Sequence, residues 1–396
     1  VPISPLGPRL AWVVQAIFEN PGVTVTADDD PAATLRYAVI PSLERARFLL
    51  PLASPRVTAA ALLAYNALRP PKVRAGRAAV GLLARVGLLG LTRAPVLSVH
   101  GGPLLPEFLA EQLGQERLHA AIGVRPPDPH HKPTLQLFDD AGRPRGYAKI
   151  GWNNGTRAMV RAEAATLAGL PTGGGFPPAP RLRLHTRWQG REIAVIEPMP
   201  RTVKRVRDPE NPRVDTVLAV ARRGGPATDP VPVTGLIATW RRRAAGADPR
   251  IHPFIDALDV DLRLEFGDWH GDWVPWNMAR HRGGLLVWDW ENRAAGVPVG
   301  FDVAHLAFQT ALSTHGRPAA DCARSADAAL AEHGPRLGLD PVRQRYVADA
   351  YLVELWLRTH ELSAGGAGWN PKLHPALLDV LTARSAASRD VPRARR

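Results

Sequence analysis

Apolar and polar positions change period twice along the chain. In residues 1–112 the apolar residues of Leu43–Leu52, Val57–Leu68 and Ala78–Leu91 recur at three- and four-residue spacing and predict short helices. From about 113 the runs shorten and turn residues bound them. His119–Val124, Thr134–Phe138 and Gly146–Gly151 predict three strands, separated by the turns Arg125–Lys132 and Asp140–Pro144. Asn153, Asn154 and Thr156 supply caps for a helix reaching about Leu170, and Gly173-Gly174-Gly175 stops it. Pro180–Trp188 and Glu192–Glu197 predict two further strands around the Gln189-Gly190 turn. Beyond 200 the helical period returns in Val214–Arg223, Val233–Ala244, Asp302–Ser313, Ala319–His333, Val342–Leu362 and Pro375–Ala386. One non-helical insert, Leu264–Asn292, interrupts it. There Asn277–Arg282 and Leu285–Trp290 flank Gly283-Gly284 as a short hairpin.

The pattern predicts four parts: a mostly helical, basic region 1–112, a mixed region 113–200, a helical region 201–388 containing the loop 266–292, and a basic tail 389–396. Hydrophobic residues at 45% and charged residues at 22% are an ordinary globular mixture, which excludes a disordered or fibrous chain. The single cysteine, Cys322, excludes an intrachain disulfide framework and a thiolate zinc cluster. No uncharged apolar stretch of ~18 residues is present, and the N-terminal segment lacks a signal-peptide pattern, so a cytoplasmic protein is expected.

Charge alters this picture. The net charge of +13 calls for an anionic partner. No helix-turn-helix, zinc-finger or aromatic RNA-binding signature accompanies it, so no specific nucleic-acid partner is expected. Arg45–Arg93 holds nine basic residues and no acid. It reads as a solvated helical face, or as a surface contacting an anionic membrane or a protein.

The insert carries the chemistry. His270-Gly271-Asp272 lies on a loop ahead of the hairpin, and the hairpin returns Asn277 and Asp289 to one end. Asp272, five residues before Asn277, reaches the same end. Two carboxylates and an amide converging there suit a hard cation such as Mg²⁺, and one carboxylate can stay off the metal and accept a proton. Five of the eleven tryptophans (Trp269, Trp273, Trp276, Trp288 and Trp290) crowd the same segment. They suit packing of the loop, with one or two left to stack on a ligand.

His270-Gly271-Asp272, then Asn277, then an apolar strand ending at Asp289 within Trp288-Asp289-Trp290-Glu291, then Gly300-Phe301-Asp302-Val303-Ala304-His305-Leu306, resembles the phosphotransfer site of the aminoglycoside phosphotransferase and choline kinase family. The resemblance implies an α+β, bilobal protein-kinase-like fold. Its N-lobe would be a small five-stranded antiparallel sheet with one helix and its C-lobe mainly helical, with 1–112 as an extra helical extension. It implies ATP and Mg²⁺ as cofactors. Asp272 would accept or orient the proton of an attacking hydroxyl. Asn277 and Asp289 would hold Mg²⁺, His270 would brace the loop and Asp302 would support it. Lys149, in the third strand, would contact nucleotide phosphates, with Glu163 fourteen residues on as its partner. Glu197 and Met199, after the fifth strand, would form the adenine hinge. Composition adds weight to Lys149. The chain has five lysines against 45 arginines, so a strand lysine is an atypical choice, and a compact ammonium suits a point contact with phosphate.

The activity implied is transfer of the γ-phosphoryl group of ATP to a hydroxyl of a small molecule such as a sugar, nucleoside or amino alcohol. A peptide acceptor, or a catalytically silent nucleotide-binding module, stays open beside it. The basic balance disfavours a polycationic acceptor.

Overall fold

The computed structural model describes residues 6–64, 68–87, 94–128, 130–367 and 373–389. Arg93, Pro129 and the tail 390–396 lie outside them. The chain forms two compact units, one of residues 1–168 and 180–205, the other of 169–179 and 206–396. Among the described residues no helix is long and apolar enough to cross a membrane.

The first unit runs α1 (Pro8–Phe18), β1 (Val23–Thr26), β2 (Leu35–Ile40), β3 (Phe48–Pro51), α2 (Pro55–Leu63), α3 (Pro71–Arg85), β4 (Val96–Gly101), α4 (Leu105–Gln112), β5 (His119–Gly123), β6 (Thr134–Phe138), β7 (Pro144–Gly151), α5 (Asn154–Ala168), β8 (Leu182–Trp188) and β9 (Arg191–Ile196). Its strands make one antiparallel sheet in the order β1-β4-β2-β3-β5-β6-β7-β9-β8. The expected order of three strands, a helix and two strands is β5 to β9 with α5.

Two expectations are corrected. The sheet has nine strands rather than five, and residues 1–112 are not a separate helical extension, because beside four helices they carry four strands that extend the same sheet through the β3–β5 pairing. Leu43–Leu52, expected as a helix, contains β3. The reason is two-sided burial. Leu49 packs in a core layer with Leu10, Val13 and Leu109 of α1 and α4, while its neighbour Leu50 packs in another with Val57 and Leu62 of α2. A strand covered on both faces has no polar alternation, so its apolar run cannot be told from a buried helix turn by periodicity.

The second unit runs α6 (Val214–Ala221), β10 (Val231–Pro232), α7 (Thr234–Arg243), α8 (His252–Ala257), β11 (Arg263–Leu264), β12 (Phe266–Trp269), β13 (Met278–His281), β14 (Gly284–Val287), β15 (Ala294–Pro298), α9 (Phe301–Gln309), α10 (Ala319–His333), α11 (Pro341–Leu362) and α12 (His374–Arg389). Three strand pairs, β10/β11, β12/β15 and β13/β14, lie among the helices. Helix α11 is the core of this unit, with Tyr351 and Trp356 wholly buried. The pair β12/β15 encloses the loop and the hairpin in sequence, which fixes where His270–Asp272 begins.

Candidate active site

The loop after β12 turns at Gly271, whose φ of +79° lies in the left-handed region. A Cβ there would stand 2.1 Å from the Asn292 carbonyl oxygen, so only glycine fits. The turn is clamped by Asp302 at the start of α9. Asp302 Oδ2 accepts the His270 N–H at 2.8 Å and Oδ1 accepts the Gly271 N–H at 3.2 Å. Arg358 of α11 donates to the Gly271 carbonyl and lies 5.2 Å from the centre of the Trp269 ring. Burial pushes the Asp302 carboxyl up to about 7, against the two N–H donors and Arg358.

His270 is fully buried, edge-on to Trp290 at 4.5 Å. Its Nδ1 accepts the Asp272 N–H at 3.2 Å, and its Nε2 lies 3.1 Å from the Trp288 carbonyl oxygen, which can only accept. These partners assign a neutral ring with the proton on Nε2. Desolvation agrees, lowering His270 to about 4.

Asp272 is held on both carboxylate oxygens. Asn277 Nδ2 donates to Oδ2 at 2.7 Å and also to the Asp272 carbonyl at 3.2 Å. His305 Nε2 lies 3.3 Å from Oδ1. The side chain remains 32% exposed, while His305 is wholly buried. Burial works to raise the carboxyl, but the hydrogen bond from His305 and the charge of Arg358 outweigh it and hold Asp272 down to about 2. It is therefore an ionised carboxylate with one accessible edge.

Behind His305 stands Tyr351 of α11, its hydroxyl 3.1 Å from His305 Nδ1. Burial raises the Tyr351 hydroxyl and lowers the His305 ring, so both stay neutral. The chain of donors is then Tyr351 O–H to His305 Nδ1, and His305 Nε2–H to Asp272. Sequence reading did not single out His305, Tyr351 or Arg358. For His305 a signal existed: three residues after Asp302 on a helix, it shares that residue's face.

The hairpin register pairs Met278 with Val287, and the Trp288 N–H donates to the Asn277 carbonyl at 3.0 Å. Asp289 follows immediately, with φ 67° and ψ 54°. A left-handed aspartate costs conformational energy and is held there by its surroundings. Of the five local tryptophans, Trp269, Trp273 and Trp290 are buried and Trp276 is 48% exposed.

The other sequence-predicted residues belong to the first unit. Lys149 lies in β7 between Thr134 of β6 and Ala194 of β9. Asn153 Oδ1 accepts the Thr156 N–H at 2.8 Å and starts α5. From that start Thr156, Val160, Glu163 and Ala164 fall on one buried face. Lys149 Nζ meets Glu163 at 2.6 and 2.7 Å to the two carboxylate oxygens, with both side chains buried. Glu197 lies three residues beyond Ala194, after β9; its N–H donates to the Arg181 carbonyl and its carboxylate accepts the Arg181 N–H. Met199 is in the following loop, and the chain leaves this unit after Arg205.

No family model and no curated protein matches the chain. Among solved structures it is similar to a thermostable mutant of aminoglycoside phosphotransferase APH(4)-Ia in apo form, at 13% identity and a TM-score of 0.46, over 72% of this chain and 99% of that one. It is also similar to a putative fructosamine-3-kinase from Haemophilus somnus 129PT, at 12% identity and a TM-score of 0.44, over 70% of this chain and 96% of that one. A choline/ethanolamine kinase family protein from Mesorhizobium loti matches at 15% identity and a TM-score of 0.39, over 65% of this chain and 86% of that one.

Proposed function

We propose that the protein is an ATP-dependent phosphotransferase that moves the γ-phosphoryl group to a hydroxyl of a small molecule. The observation that carries this reading is Asp272: an ionised carboxylate with both oxygens hydrogen-bonded and one edge accessible. A carboxylate so placed can accept a hydrogen bond from an incoming hydroxyl and orient its lone pair in line with a phosphorus atom. Held at about 2, it is a weak base, so its work is positioning, with proton transfer late in the reaction.

The donor set at the hairpin end fits a hard cation. Both hydrogen bonds given by the Asn277 side chain come from Nδ2 and leave its amide oxygen as the ligand atom, and Asp289 supplies a carboxylate. Mg²⁺ bound there would offset the negative charge of a transferring phosphoryl group. Lys149, steadied by Glu163, would place an ammonium against nucleotide phosphates, and the segment Glu197–Met199 would offer backbone groups to a base. Trp276, exposed and next to Asn277, is an aromatic face for a ring-bearing acceptor.

The test is an ATP-consumption screen over sugars, nucleosides, amino alcohols and short hydroxyl-bearing peptides, run beside Asp272→Asn. Loss of turnover by about 10²–10⁴-fold is expected, with ATP affinity kept. Full turnover by Asp272→Asn with the true acceptor would overturn the assignment.

A further inference from the structure

Helix α3 is apolar on two opposite sides. Arg77, Gly81 and Ala84, at spacing i, i+4 and i+7, form the side packed on α2, where Gly81 meets Leu63. Arg77 is part of that packing: it donates to the carbonyls of Leu62, Ala61 and Ala64 at the end of α2 and lies over the Phe48 ring. Ala75, Ala79, Leu82 and Val86, at i, i+4, i+7 and i+11, form the opposite side, and all four are exposed. Leu82 is 65% exposed and Val86 59%. Of the nine large hydrophobic side chains exposed among the described residues, five (Leu63, Val73, Leu82, Leu83 and Val86) lie on α2 and α3 or at their ends. The concentration marks a surface rather than scattered exposure. Cations border the outer apolar side, Arg74 and Arg85 along one edge and Lys72 on the other, and no carboxylate occurs between Arg45 and Arg93.

We propose that this outer face of α3 docks on an anionic lipid bilayer. A helix lying in the interface needs an apolar strip that enters the acyl boundary and cations at headgroup level on both edges, and α3 presents both. Charge complementarity selects the occupant, because an all-cationic border would repel a second copy of itself brought face to face. The surface is independent of the proposed phosphotransfer chemistry, and its test needs no acceptor.

The full chain is mixed with vesicles of neutral phosphatidylcholine, alone or with 30% phosphatidylserine, and sedimented at low and at 0.5 M salt. Binding is expected to anionic vesicles only and to weaken with salt. Leu82→Glu/Val86→Glu should lower it at least tenfold, and Lys72→Glu/Arg85→Glu by about tenfold, with unchanged circular dichroism because these positions are exposed. Leu82→Trp should shift its emission to the blue on anionic vesicles. Absence of binding at low salt, equal binding to neutral vesicles, or binding untouched by both double variants would overturn the proposal. So would concentration-dependent self-association, or retention of a partner protein, that Leu82→Glu/Val86→Glu abolishes while vesicles remain unbound.

Discussion

Asp272 is held from three directions, each acting on a different property. The His270 ring accepts its backbone N–H and places the residue at the loop's end. Asn277 binds Oδ2 and sets the carboxylate plane. His305 binds Oδ1 and keeps the group ionised despite its burial. Asp272, which can only accept, requires the proton on His305 Nε2, and the Tyr351 hydroxyl then donates to Nδ1. On the proposed reaction, His305→Gln is expected to lower kcat about tenfold with KM for ATP within twofold. Tyr351→Phe acts more mildly, about threefold. The sign in pH follows from the hydrogen bond. Without His305 the Asp272 carboxyl rises toward its ordinary value, so the acid limb of the kcat profile moves to higher pH. An unmoved acid limb would reduce His305 to core filling. Periodicity alone ranks a histidine on an apolar helix face with core residues, and only the contact with Asp272 separates the two roles.

At the scale of elements, the hairpin was legible and the added strands were not. Two short runs around a Gly-Gly pair announce a hairpin, but the turn falls one residue earlier than that pair: Arg282 and Gly283, both at positive φ, form it, so Gly284 pairs with His281 and Met278 with Val287. The strand β3 has no such punctuation; its identity depends on α1 and α2 covering its two faces, which are distant in sequence from the strands that complete the sheet. One residue shows how strongly these distant parts are joined. Arg191, at the start of β9, donates to the Ala16 carbonyl at 2.6 Å, the Glu19 carbonyl at 3.0 Å, the Gln15 carbonyl at 3.4 Å and Asn20 Oδ1 at 2.9 Å. It thereby satisfies the Ala16 carbonyl in the last turn of α1 and adds a second donor to the Gln15 carbonyl, which already accepts the Glu19 N–H. Arg191→Ala strands the buried Ala16 carbonyl and removes three part-buried bonds, and hydrogen bonds to a charged donor are worth about 1.5–3 kcal/mol each without being additive. A loss of about 3 kcal/mol is expected, read as a fall of roughly 10 °C in Tm. Arg187→Ala, four residues away, removes a largely exposed guanidinium from Glu192, which keeps Arg161 and His185, and should change stability by less than about 1 kcal/mol.

For the whole molecule, the decisive question is whether residues 1–112 are an accessory or part of the first unit's foundation. Composition suggests an accessory, since the acid-free basic run looks separable from the chemistry. The core says otherwise. Sixteen of the twenty-seven buried residues in the apolar core under α1 and α4, from Leu10 to Ala110, come from this region, and the remaining eleven, from Leu118 to Val195, pack against them. Removing the region also strips β3 from β5, where Phe48 pairs with Gly123 and Leu49 with Ile122. That leaves β5 as an uncovered edge whose residues His119–Ile122 are all buried in the intact chain, an arrangement that invites edge-to-edge association. A chain of residues 113–396 should therefore enter inclusion bodies or elute as a heterogeneous aggregate, and any soluble fraction should lack a cooperative thermal transition. Size-exclusion chromatography and calorimetry of the truncated and full chains decide the matter. A monomeric truncated chain with a single sharp transition would show that β5 to β9 with α5 is self-sufficient and that β1 to β4 are an added layer. Failure to fold would mean instead that the basic face of α3 is carried on the same sheet that holds Lys149, and cannot be deleted to test its docking. Substitution on its exposed face is then the only clean route, because Leu82 and Val86 contribute nothing to the core they border.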